Sequence, residues 1–99
     1  MASYVLTNKA VDDLSKIWEY TLEVWSEEQA DKYYLDLISN CQEIAENPRQ
    51  GKTYDGISNQ LLEKKVNRHI IFYRTIDENN VEITRILHER MDLKHRARE

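Results

Sequence analysis

The run His69–Asp92, HIIFYRTI followed by DENN and VEITRILHERMD, decides the fold. Ile70, Ile71, Phe72, Tyr73 and Ile76 give its first part the β-branched and aromatic content of a strand, and Val81, Ile83, Ile86 and Leu87 do the same for the second. Between them, Asp77 to Asn80 holds residues that tolerate tight backbone geometry, so the two strands form a hairpin. Arg74, Arg85 and His88 sit inside this apolar setting and are the side chains whose presence a sheet does not by itself require.

Upstream, Leu61–Val66 (LLEKKV) reads as a further strand, with Asn67-Arg68 as a tight connection into the hairpin. Arg49 to Gln60 carries both glycines and little apolar content, which predicts a connecting loop. Before that loop the period changes from strand to helix. Ala30, Tyr33, Tyr34, Leu37, Ile38, Cys41, Ile44 and Ala45 recur at helical spacing, from a Ser26/Gln29 capping signature to a stop at Asn47-Pro48. Ala10, Leu14, Ile17, Trp18, Thr21 and Trp25 form the core-facing stripe of an earlier helix, which Thr7 can cap. So little chain separates the two helices that they must form an antiparallel hairpin. Ser3–Thr7 (SYVLT) is a short opening strand with Tyr4 and Leu6 on one side and Val5 on the other.

This order predicts an α+β domain spanning 1–99: an N-terminal strand, and an antiparallel helical hairpin packed on a mainly antiparallel sheet of about four strands. A short C-terminal helix or tail follows, helical from Glu89 onward. The 99 residues suit one domain burying roughly two-thirds of its unfolded surface.

Charge and cysteine usage narrow the function. Lys and Arg number 14 against 18 Asp and Glu, a formal net charge of −4. That balance argues against a surface made to coat itself with nucleic-acid phosphates. Cys41 is the single cysteine, so no internal disulfide forms, and its place on an apolar helix face predicts a small buried hydrophobe. MASYVLTNKA lacks a charged start followed by a long apolar run, and no segment approaches the length of a membrane span. A cytoplasmic chain is the expectation.

Motifs for common chemistries are missing. There is no paired-carboxylate signature, no His/Cys metal spacing, no glycine-rich phosphate loop and no Ser or Cys nucleophile in a recognisable setting. His69, His88 and His95 read as too scattered for a metal site, and no cofactor is expected. Glu19, Glu23, Glu27, Glu28 and Asp31 read as solvated helix faces. One constellation remains for catalysis: Lys64, Lys65, Arg68, Arg74, Arg85 and His88 could hold a phosphodiester and donate a proton to a leaving oxygen. Strand alternation spreads these six over both faces of the sheet.

Several pieces together resemble a known family. YVLT; Ala10, Asp13-Leu14, Ile17-Trp18, Tyr20-Thr21 and Trp25; Gln29-Ala30 and Tyr33; ENPRQGK; IFYR; and the EITRILHERMD ending look like the ParE branch of the RelE/ParE toxin superfamily of bacterial type II toxin–antitoxin systems. The likeness runs from Tyr4 to about Asp92. It implies a helical hairpin on a twisted antiparallel sheet, and a protein that traps the cleaved-DNA state of DNA gyrase without catalysis of its own. It also implies a cognate antitoxin whose extended C-terminal segment wraps the toxin.

On that reading the candidates for the gyrase-facing surface are Arg74, Arg85, His88, Met91, Asp92, Lys94, Arg96 and Arg98, without direct sequence-specific nucleic-acid binding and without a membrane. Those for antitoxin binding are Trp18, Trp25, Tyr33 and Tyr34, where the partner would add a helix to the apolar stripe or a strand to a free sheet edge. RelE-like relatives are ribosome-dependent mRNA endonucleases, which is the alternative, and an inactive homologue that keeps only antitoxin binding is a further one.

Overall fold

A computed structural model describes residues 2–53 and 61–90. Strand β1 (Ser3–Leu6) leads into helices α1 (Asn8–Val24) and α2 (Glu27–Glu46), then a 3-10 turn at Pro48–Gln50, strands β2 (Lys52–Thr53) and β3 (Leu62–Val66), and the long hairpin β4 (His69–Asp77) and β5 (Asn80–His88). The sheet order is β1-β5-β4-β3-β2, with β1 parallel to β5 and the other pairings antiparallel. Sequence reading gives this α+β order, with one addition. Two residues, Lys52 and Thr53, pair with Glu63 and Leu62 inside the stretch read as loop. So short a strand has no alternation to announce it. The predicted C-terminal helix lies outside the described residues beyond the Glu89–Arg90 turn.

Local chemistry sets the element ends. Thr7 Oγ1 accepts the backbone N–H of Ala10 at 3.1 Å, and its own hydroxyl donates to the carbonyl of Thr84 at 2.8 Å. One side chain therefore caps α1 and fixes its start against β5. Ser26 caps α2 in the same way through the Gln29 N–H at 3.1 Å, with Glu27 and Glu28 in a first turn that favours negative charge. Asn67 turns the chain from β3 into β4 at φ 56°, a conformation asparagine tolerates, and its amide donates to Asp36 of α2 at 2.8 Å.

The helices cover one face of the sheet. Leu14, Leu37, Cys41 and Ile44 pack there against Ile71, Tyr73, Val81, Ile83 and Ile86, with Tyr4 and Leu6 of β1 at the margin. Leu61, Ile70, Phe72 and Leu87 form a second cluster, in keeping with the alternation of β4. Val5, as expected, turns away and is 51% exposed. At the far end Tyr73 donates to the Pro48 carbonyl at 2.6 Å. Gly51 passes so close that a Cβ there would overlap the Tyr73 hydroxyl, which explains a glycine between the 3-10 turn and β2.

Two irregularities shape the hairpin. Between Thr75 and Asp77 the register gives β4 an extra residue, Ile76; between Phe72 and Tyr73 it gives β5 an extra residue, Thr84. They offset one another. His69 consequently ends opposite His88, as a plain count from the turn would place it.

Candidate functional site

Where β1 stops at Leu6, the outer edge of β5 continues with no strand beside it among the described residues. Such an edge exposes unpaired backbone groups. Asp13 of α1 takes over part of the missing strand's role. Its Oδ2 accepts the Ile86 backbone N–H at 3.0 Å and the Arg85 Nε at 2.8 Å, while Oδ1 accepts an Arg85 terminal nitrogen at 2.9 Å. Both residues are 8% exposed. Arg85 is thus held inside the fold by a two-point ion pair, a geometry that suits guanidinium and carboxylate.

The other cations of the sequence analysis are dispersed. Lys64 faces Glu43 of α2 at 3.5 Å, Lys65 meets Glu89 at 2.8 Å, and Arg74 pairs across the hairpin with Glu82 at 2.7 Å. Each lies on a different part of the sheet, as strand alternation predicts. Met91, Asp92, Lys94, Arg96, Arg98 and His95 lie outside the described residues.

Past the end of β1 opens a groove of about 640 Å³, between α1, the start of α2, the β3–β4 turn and the end of β5. Ile17, Tyr20 and Trp25 line one side and Ile86 and Leu87 the sheet side. Trp25 is 71% and Tyr20 66% exposed. Large aromatics left open beside an apolar floor are characteristic of partner-binding surfaces.

Of the four aromatics expected to meet a partner, Trp25 and Tyr33 line this groove. Trp18 instead clamps the helical hairpin, its indole N–H donating to Asp31 at 3.0 Å, and Tyr34 is not among the lining residues. Tyr20 lies off the apolar stripe read from the sequence, so periodicity alone passes over it.

One polar cluster closes the groove. Tyr33 Oη lies 2.6 Å from His69 Nδ1, and the His69 and His88 rings meet edge to face with centroids 5.1 Å apart. The histidines read as scattered along the chain are therefore partly gathered, two on facing strands. Burial, reinforced by His88, pushes His69 down to about 4, so the ring is neutral at physiological pH. Burial also raises the Tyr33 phenol, with the Arg68 backbone N–H acting the other way. His88 Nδ1 accepts the Arg90 backbone N–H at 3.1 Å. Among the described residues no three His, Cys, Asp or Glu side chains come together as a metal site. Cys41 is buried and its thiol is pushed up to about 12, which leaves it protonated and inert.

The family model described as ParE toxin of type II toxin-antitoxin system, parDE, matches residues 4–93. The chain belongs to the ParE toxin family. It is similar to Toxin ParE1 of Mycobacterium tuberculosis (strain H37Rv), with 33% identity over 90 residues covering 91% of this chain and 92% of that protein. Toxin ParE1 of Caulobacter vibrioides is also 33% identical, over 94 residues, with coverage of 95% and 96%. The fold recurs in the chromosomal ParDE TA system from P. aeruginosa, with TM-score 0.74, 20% identity, and coverage of 89% of this chain and 96% of that one. It recurs again in the toxin-antitoxin complex RelBE2 from Mycobacterium tuberculosis, with TM-score 0.66, 19% identity and coverage of 88% and 96%.

The pieces of sequence that carry the resemblance to the ParE family have a structural meaning. Asp13 and Arg85 are the buried pair, Pro48 and Gly51 of ENPRQGK frame the Tyr73 hydroxyl, and Trp25 with Tyr33 opens the groove. No helix among the described residues of this ParE chain is long and apolar enough to cross a membrane.

Proposed function

We propose that this toxin acts by binding, poisoning DNA gyrase by trapping its cleaved-DNA state, and that a cognate antitoxin neutralises it by occupying the groove beside Trp25 and Tyr33. The observation that carries a non-catalytic reading is the fate of the cations. Of the six candidates, Lys64, Lys65, Arg74 and Arg85 are each bound to a carboxylate at a different place, which leaves only Arg68 and His88 together in the groove, too few for the six-residue phosphodiester cradle. Net acidity supports the same reading, because docking among ribosomal RNA phosphates depends on unpaired cations. Gyrase as target implies action in the bacterial cytoplasm.

The second reading, a ribosome-dependent mRNA endonuclease, draws on the Tyr33–His69–His88 cluster, since a histidine with a displaced pKa in a groove is a candidate for proton transfer. Purified protein distinguishes the two. Gyrase with DNA should accumulate cleaved complexes in its presence, and added antitoxin should abolish them. Cleavage of mRNA on translating ribosomes, with gyrase unaffected, would overturn the proposal in favour of the nuclease; inactivity in both assays, with antitoxin binding retained, would identify a toxin that has lost its activity.

A further inference from the structure

Charge in the groove is set by what the fold leaves over. Asp13, the one carboxylate among the described lining residues, is fully engaged by Arg85 and the Ile86 N–H. Lys16 stands on the α1 wall and Arg68 on the β3–β4 turn opposite, and the ion pairs among the described residues involve neither. Glu89, whose field reaches Arg68, is itself bound to Lys65 at 2.8 Å.

The imidazoles between them add donors. His88 Nδ1 accepts from the Arg90 backbone, which leaves Nε2 as that ring's donor. Tyr33 Oη, which also faces the Arg68 backbone N–H, lies 2.6 Å from His69 Nδ1, and the His69 tautomer sets which of the two donates. A chain of net charge −4 thus builds a groove with an apolar floor, two cations among the described residues of its walls and the His69 and His88 imidazoles at one end.

We propose that the groove selects an acidic amphipathic segment of the antitoxin, apolar side chains seated against Ile17, Tyr20, Trp25 and Leu87, and a carboxylate held between Lys16 and Arg68 at the His69–His88 end. This rests on the assignment of the groove to the antitoxin and adds the chemistry of its occupant. Binding of that kind has a signature that apolar docking lacks. Pairing a carboxylate with exposed cations is screened by salt, whereas burial of aromatic surface is not.

The test measures affinity of the cognate antitoxin for wild-type toxin, for the double variant Lys16→Gln with Arg68→Gln, and for Trp25→Ala, at low salt and at about 0.5 M salt. All three positions are exposed, and matching melting curves establish that the variants are folded. The double variant is expected to bind about tenfold more weakly at low salt, and to lose most of the salt dependence of the wild type. Trp25→Ala should weaken binding while keeping that salt dependence. A double variant equal to wild type in affinity and salt response overturns the carboxylate proposal. If Trp25→Ala still weakens binding, the groove assignment survives that failure; if it does not, both fall.

Discussion

Changing Asp13 to Ala is expected to destabilise the protein by about 3–5 kcal/mol, the cost of leaving a buried charge without its partner. The carboxylate holds the Arg85 guanidinium at two points and also accepts the Ile86 N–H, so its loss strands several donors at once. Domains of this size have roughly 5–15 kcal/mol of stability in total. A fall in Tm of roughly 10–30 °C should follow, readable by thermal unfolding. Removing both partners is expected to be milder. Asp13→Leu combined with Arg85→Met replaces the ion pair by apolar packing, and such exchanges are often nearly neutral. A Tm within a few degrees of wild type for Asp13→Ala would mean that the pair does not support the fold. Because this role is structural, loss of toxicity in an Arg85 variant is interpretable only beside its melting curve.

Trp25→Ala should behave in the opposite way. The indole is 71% exposed beyond the end of α1, so its removal should change stability by no more than about 1 kcal/mol. Antitoxin affinity should drop by about 2 kcal/mol or more, roughly thirtyfold in the dissociation constant, because large aromatics seated in a pocket carry a disproportionate share of interface energy. Titration calorimetry or surface plasmon resonance on the folded variant reads this directly. Unchanged affinity would remove Trp25 from the interface. Trp18→Ala offers a contrast: its bond to Asp31 joins the two helices, so its substitution should lower stability as well.

Much of this architecture was legible in the chain. The β4–β5 hairpin followed from its β-branched content and its Asp-Glu-Asn-Asn turn, and both helix starts followed from hydroxyl caps that accept the N–H groups expected of them. Strand β2 was not legible, because two residues cannot show a period. Asp13 carries a weaker signal. It sits three residues after Ala10 and four before Ile17, on the apolar stripe, and a carboxylate there requires a buried cation elsewhere. Its partner, 72 positions along the chain, could be found only in the fold.

The meeting of His69 and His88 was accessible to a simple count from the turn, since the extra residues at Ile76 and Thr84 offset each other. The groove was a different matter. It exists because β1 ends at Leu6 and the edge of β5 runs on, and no local pattern encodes where one strand falls short of another. Tyr20 and Lys16 acquire their importance from that gap.

Hydrogen exchange of the toxin with and without its cognate antitoxin tests the groove assignment most directly. Binding is expected to slow exchange at the end of α1 around Tyr20 to Trp25, at Gln29 to Tyr33, across the Asn67–His69 turn and at Ile86–His88. Protection confined to other surfaces, such as β1 or β2, with these four segments exchanging as in the free toxin, would contradict it.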